Sequence, residues 1–299
     1  MEFIEVDSKK IYIEIYGKRN KNTIVYFHGG PGASCLDFSK QAQALGEKYH
    51  VLSFDQYGVM RSDPIPEMEP FGMNDHVKLI DKLREVLGIT SWTVLGHSYG
   101  GMLACLYAYT YPQSTDAVIY DCPSWNYILS AKTIASFFMP YFENINSEIG
   151  LNKCRTVIDK IYSERSEVLG DLMTILNMVA DPKERNYLHG ITFEEYQPYQ
   201  QHENIPENGW KKSNIHMQKL IDAGEIFNNY LSFLDKINKP SLLLVGKYDP
   251  ACGIDQREYF QKHSIQGTMV EFQNSGHFPR VEEPQIYTKS IINFMDCIH

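Results

Sequence analysis

The chain has no excess of positive charge: 28 Lys and Arg stand against 37 Asp and Glu, for a net charge of −9 over 299 residues. Phosphate binding needs clustered Lys and Arg, so this balance argues against nucleic acid and anionic membranes as partners. No apolar run approaches the ~20 residues of a membrane span. The start, Met1 to Asp7, alternates and carries acids, and it lacks the basic region and unbroken apolar core of a signal peptide. Cysteine is sparse, with six residues at 35, 105, 122, 154, 252 and 297 and no Cys-x-x-Cys pair, which reads as free thiols in a reducing compartment. No His/Cys/Asp cluster has metal-ligand spacing, and no Gly-x-Gly-x-x-Gly follows a strand, so neither metal nor cofactor is expected. What remains is a soluble cytoplasmic protein, long enough for one large α/β domain or a core domain with an insertion.

The apolar pattern that is present alternates between two kinds. Ile11 to Tyr16 has period-2 patterning and predicts a strand; Arg19-Asn20-Lys21-Asn22 predicts a turn. Thr23–Phe27, Val51–Phe54, Trp92–Leu95, Ala117–Tyr120 and Ser241–Val245 are continuous apolar runs, as expected of strands buried on both faces. Thr268–Phe272 predicts the last strand. Between them, Asp75–Leu87 (N-capped by Asn74 and stopped by Gly88), Asp255–Lys262 and a stretch opened by Pro284 and closing at Phe294 predict helices. From Ser124 to about Lys236 strand-like runs vanish, aromatics and methionines are dense, and helical spacing dominates. The expected organisation is an α/β core, residues 1–123 and 237–299, with a mostly parallel central sheet flanked by helices and a helical cap inserted at 124–236. Residues 189–209 are too polar and proline-broken to assign.

Strand, tight turn and helix meet at Gly96-His97-Ser98-Tyr99-Gly100-Gly101. A strand reversing sharply into a helix brings residues two before and two after the apex nearly into contact, so only glycines fit there. The serine hydroxyl is then exposed in a strained turn, in front of a helix N-terminus. Two further groups stand at ends of predicted strands, Asp249 and His277. A serine hydroxyl needs a base, imidazole suits neutral pH, and a carboxylate fixes the imidazole tautomer. The chain order Ser, Asp, His is that of an α/β-hydrolase, which makes Ser98, Asp249 and His277 the expected catalytic residues. Asp121 competes for the acid's place at another strand end; Asp249 is preferred because a short helix-bearing link leads from it to His277. The loop His28-Gly29-Gly30-Pro31-Gly32 follows a buried strand, and its backbone can approach a ligand closely. The N–H groups of Tyr99 and Gly30 are the expected oxyanion donors. His28 and His97, beside motif glycines, read as structural; His50, His76, His189, His202, His216, His263 and His299 read as satisfied core or surface residues.

With the loop at 28–32, Asp55-Gln56-x-Gly58, the elbow at 96–101 and the placement of Asp249 and His277, the chain resembles the proline iminopeptidases of the α/β-hydrolase superfamily. That resemblance implies removal of an N-terminal residue, typically proline, from small peptides. It also implies that glutamates hold the free amine, one in an Asn-Glu-Phe motif and one just after the catalytic Asp. Gly224-Glu225-Ile226-Phe227 resembles the first, whereas Pro250 occupies the second. Where the family reads Asp-Gln-Arg-Gly-x-Gly-x-Ser, this chain has Tyr57 for Arg and Met60 for Gly. Glu225, Gly29 and Gln56 are thus the expected substrate contacts, and a small molecule or short peptide is the expected partner. An esterase or amidase for a non-peptide substrate, and a ligand receptor on the same fold, are the competing readings.

Overall fold

A computed structural model of the chain describes residues 2–19, 21–199 and 205–298; Asn20, His202 and His299 lie outside the described residues. Eight strands, β1 (Glu2–Val6), β2 (Lys9–Tyr16), β3 (Thr23–Phe27), β4 (His50–Phe54), β5 (Trp92–His97), β6 (Thr115–Asp121), β7 (Pro240–Gly246) and β8 (Gln266–Phe272), form one sheet in the order β1-β2-β4-β3-β5-β6-β7-β8. The first two pairings, β1 with β2 and β2 with β4, are antiparallel, and all later ones are parallel. The continuous apolar runs are explained by the two faces. Val25, Phe27, Val94, Val118, Leu243 and Val245 pack into one buried cluster, while Ile24, Tyr26, Leu95, Ile119, Leu242 and Leu244 pack into another on the opposite side.

Helices α1 (Ser39–Gly46), α2 (Met73–Val86) and α3 (Tyr99–Thr110) follow early strands. Every residue of α3 from Tyr99 to Ala108 is buried, which suits a helix apolar all round. Between β6 and β7 the described residues contain helices and no strand: α4 (Tyr127–Asn144), α5 (Glu148–Asp159), α6 (Glu167–Leu176), α7 (Pro182–Tyr187), α8 (Phe193–Tyr196) and α9 (Gly209–Ala223). The core rhythm ends with α10 (Ile254–His263), α11 (Pro279–Glu282) and α12 (Pro284–Ile298). Among the described residues no helix is long and apolar enough to cross a membrane.

Several boundaries differ from the sequence expectation. Helix α2 begins at Met73 with Gly72 as its N-cap, so Asn74 lies inside the first turn rather than capping it. Helix α12 continues four residues beyond Phe294. The N-terminal stretch that only alternates in sequence is an edge strand, hydrogen-bonded to β2 and mostly exposed on its side chains.

Candidate active site

The elbow at the end of β5 is built by crowding. A Cβ on Gly96 would lie 2.1 Å from the Gly100 carbonyl oxygen, one on Gly100 would lie 2.1 Å from that of Phe27, and one on Gly101 would lie 2.6 Å from Pro123 Cβ. Ser98 is thereby held at φ 54°, ψ −116°, a region that costs a non-glycine residue ~1–3 kcal/mol. Its N–H donates to the Asp121 carbonyl at 2.9 Å, and its carbonyl accepts from Gly101 N at 2.9 Å and Ser124 N at 3.3 Å, which locks the strained turn. Tyr99 opens α3, so its N–H has no carbonyl one turn earlier in that helix to bond.

The other two groups converge from β7 and β8. His277 Nδ1 lies 2.9 Å from Asp249 Oδ1, with both side chains buried. Asp249 is anchored in turn, because Ala251 N donates to Oδ1 at 2.9 Å and Cys252 N to Oδ2 at 3.2 Å. The close approach of the two loops depends on Gly246, where a Cβ would fall 1.9 Å from the Gly276 carbonyl oxygen. Asp121 is committed elsewhere: Oδ2 accepts from Arg280 Nη1 at 3.0 Å and Tyr287 OH at 3.1 Å and lies 3.2 Å from His97 Nδ1. Burial pushes the Asp121 carboxyl up, but its contact with the His97 ring and the Arg280 charge outweigh it and hold the group below its ordinary range. Burial, helped by the Arg280 charge, lowers His97 to about 4, so this ring stays neutral beside His277, 4.8 Å away.

Ser98 and His277 share the wall of a cavity of about 260 Å³ with Gly29, Gly30, Asp37 and Trp210. A second cavity of about 90 Å³ is also bordered by Ser98 and is lined by Tyr99, Tyr127, Ile134, Leu172 and Ile226. Gly30 borders both cavities. Gly29 is pressed against the elbow, since a Cβ there would stand 3.2 Å from Ser98 Cβ.

Two expected substrate contacts are corrected by the structure. Gln56 is fully buried and lines neither cavity; its Nε2 donates to the His28 carbonyl at 2.9 Å and its backbone N–H to His28 Nε2 at 3.1 Å. It braces the glycine loop from behind, because the strand end it follows runs beside β3. Glu225 also lines neither cavity. Its carboxylate accepts from Asn74 N at 3.0 Å and from Asn74 Nδ2 at 2.5 Å, so it satisfies an open N–H in the first turn of α2. Only its neighbour Ile226 reaches a cavity.

Of the histidines, His28 is engaged at both ring nitrogens, by Gly29 O and Gln56 N. His76 and His216 are buried and bonded only through Nδ1, to Tyr99 OH and Tyr57 O; their Nε2 atoms have no protein partner, so they are not the fully satisfied core residues expected. Met60, where the family pattern has glycine, adopts φ 40°. Arg61 beside it pairs with Asp55 at 2.6 Å and Glu14 at 3.1 Å, both buried.

Three neighbours of these groups have no local sequence signal. Tyr187, at the end of α7, accepts the His277 backbone N–H at its carbonyl (2.7 Å) and holds its ring tilted, 5.0 Å from the imidazole. Arg280 is wholly buried and ties the loop after His277 to Asp37 (2.5 Å) and Asp121. Cys122 follows β6 at φ 45° and packs beside Asp249; burial, reinforced by that carboxylate, raises its thiol pKa well above normal.

Comparison with known proteins agrees with this architecture. Residues 22–284 match the family model described as the alpha/beta hydrolase fold. A protein named proline iminopeptidase from Saccharolobus solfataricus is 27% identical over 305 residues, covering 97% of this chain and 90% of that one. Another so named, from Heyndrickxia coagulans, is 24% identical over 308 residues, covering 99% and 98%. The crystal structure of a proline iminopeptidase-related protein from Thermus thermophilus superposes with a TM-score of 0.78 at 18% identity, over 99% of this chain and 97% of that one. The chain belongs to the α/β-hydrolase fold family and resembles the proline iminopeptidases within it.

Proposed function

We propose that the chain is a serine hydrolase that removes an N-terminal residue, proline-like or small and apolar, from short peptides or amino-acid amides through an acyl-enzyme. The observation that carries this reading is the 2.9 Å contact of His277 Nδ1 with Asp249, on a ring that shares a cavity wall with Ser98. Ser98 Oγ attacks the scissile carbonyl while His277 Nε2 takes its proton. Asp249 holds the Nδ1–H tautomer and stabilises the imidazolium. The N–H groups of Tyr99 and Gly30 receive the developing oxyanion. His277 then protonates the departing amine, and water repeats the sequence on the acyl-enzyme. Residues 124–236 act as a cap over the strand ends and set specificity through side chains such as Leu172 and Trp210. Six free cysteines, five of them buried, support a reducing, cytoplasmic setting.

A second reading, an esterase or amidase for a small non-peptide substrate, is favoured by the carboxylates. Glu225 is bonded to Asn74, and Asp37, a cavity-wall acid, is paired with Arg280. A panel of amino-acid p-nitroanilides, each with a free and an acetylated amine, separates the two. Preference for the free amine supports the aminopeptidase; equal or better turnover of blocked or amine-free substrates refutes it and selects the esterase or amidase.

A further inference from the structure

Cys122 is a nucleophilic side chain that the proposed mechanism does not use, yet it is packed against the acid–base pair. Its Sγ, a carboxylate oxygen of Asp249 and a ring nitrogen of His277 all lie within 4.8 Å of one another, and all three residues are buried. The three are far apart in sequence and are gathered only because β6, β7 and β8 end side by side. In this arrangement the thiol lies 3.9 Å from the Gly276 carbonyl, a long contact. Thiolate, imidazole and carboxylate are the donors that zinc selects, and three protein ligands plus water form a familiar open site.

We propose that Cys122, Asp249 and His277 form an inhibitory site for a thiophilic divalent cation, with Zn²⁺ as the biological member of that class. Around one such ion, with Zn–S ~2.3 Å and Zn–N or Zn–O ~2.0–2.2 Å, donors stand roughly 3–4 Å apart, so separations of up to 4.8 Å change by roughly 1–2 Å at most, while the 2.9 Å His277–Asp249 contact opens slightly. Asp249 is already fixed by the N–H groups of Ala251 and Cys252, so only the ring and the thiol need to move. His277 is itself part of the wall of the 260 Å³ cavity.

The step balances without any redox partner. The thiol proton leaves to water as the Sγ–metal bond forms. The proton on His277 Nδ1 is lost there and regained at Nε2, while the metal takes the Nδ1 lone pair and one Asp249 oxygen. Net, one Zn²⁺ binds and one proton is released. The imidazole is left as the Nε2–H tautomer, which faces Ser98 as a donor and can no longer accept its proton. The cation thus silences the base by fixing the wrong tautomer.

The inhibition rests on the serine-hydrolase reading above; the binding does not, and the test separates them. The full chain, Cys122→Ser, Cys122→Ala and, as a control, Cys297→Ser at an exposed thiol, are titrated with Co²⁺ and read for a thiolate–metal charge-transfer band. In parallel, labelling of Ser98 by a fluorophosphonate is measured with Zn²⁺ present and after chelation. The expected result is a band and Zn²⁺-suppressed, chelator-restored labelling in the wild type and Cys297→Ser. Both Cys122 variants should lose the band, label as well as the untreated wild type, and need at least about tenfold more Zn²⁺ for suppression. No band in the wild type, or equal Zn²⁺ sensitivity in the Cys122 variants, overturns the site. A Cys122-dependent band in a protein whose Ser98 never labels supports the metal site and refutes the serine-hydrolase reading instead.

Discussion

Two buried aspartates stand at the ends of neighbouring strands, and the structure assigns them opposite consequences when each is changed to asparagine. Asp249 accepts three hydrogen bonds, from His277 Nδ1, Ala251 N and Cys252 N. An asparagine can accept on one side only. If its oxygen keeps the Cys252 N–H at the Oδ2 position, its NH₂ takes the Oδ1 position, faces His277 and Ala251 N, and forces the ring into the Nε2–H tautomer, which cannot take the Ser98 proton. The expected loss is on the order of 10³–10⁴ in kcat, or ~4–5.5 kcal/mol of transition-state stabilisation. The fold should lose less than in the Asp121 variant, because side-chain size is conserved and the change is confined to neutral-for-charged hydrogen bonds worth ~1–3 kcal/mol. Asp121→Asn is the mirror case. Its carboxylate does not meet His277 but neutralises Arg280, which is 0% exposed. Breaking a buried pair by removing one partner costs ~3–5 kcal/mol, here softened because Asp37 still pairs with Arg280. With ~2–4 °C of melting temperature per kcal/mol, the midpoint should fall by roughly 6–20 °C, while kcat per folded molecule stays within about tenfold. The assay is a thermal melt of each variant beside kcat normalised to the folded fraction. A loss of about 10³ in kcat for Asp121→Asn, beside an Asp249→Asn that remains active, would refute the assignment of the two acids.

Ser98→Ala should remove turnover by about 10⁴-fold or more on every good substrate, since members of such a triad act as a unit; near-wild-type rates would take Ser98 out of the mechanism. Glu225→Gln should alter free-amine and acetylated substrates equally, with a stability cost of about 1 kcal/mol or less from the weaker contact with the α2 N-terminus; a selective loss on free-amine substrates would restore it as an amine ligand. Stability should decline as pH falls from about 6.5 to 4, measured by denaturant midpoints across that range. Buried His97 and His216 are held near 4 and 3 by desolvation, so the unfolded chain binds more protons there, and their neutral-state stabilisation is present above pH ~6.5 and lost below it. A flat profile down to pH 4 would show that these rings are solvated or paired in solution.

Much of the core was legible because its causes are local. Continuous apolar runs mark strands covered on both faces, and the six residues at 96–101 encode their own turn, because a Cβ at Gly96 or Gly100 would collide with neighbouring backbone. The chain order of Ser98, Asp249 and His277 survives any packing, so these three could be singled out as candidates before their contacts were known. The elements missed were those whose stability is not in their own pattern: β1 exposes most of its side chains and exists through its ladder with β2, and α1 is short and lies against β4 and α12 rather than declaring a face of its own.

What only the tertiary structure decided were the partners of side chains. Glu225 sits in a stretch resembling an amine-binding motif, yet an open backbone N–H of α2, 151 positions away, occupies its carboxylate. Gln56 belongs to a motif and is spent behind the loop it was expected to help from the front. Tyr187, Arg280 and Cys122 look ordinary in sequence and reach the His277–Asp249 pair or its supports only when separate strands and the helical segment close around it. The physical reason is one of range. Periodicity, steric crowding and chain order act within a few residues or along the chain itself, whereas a carboxylate or thiol is defined by whichever donor or charge packing brings within about 3 Å, and that is settled only when the whole chain has folded.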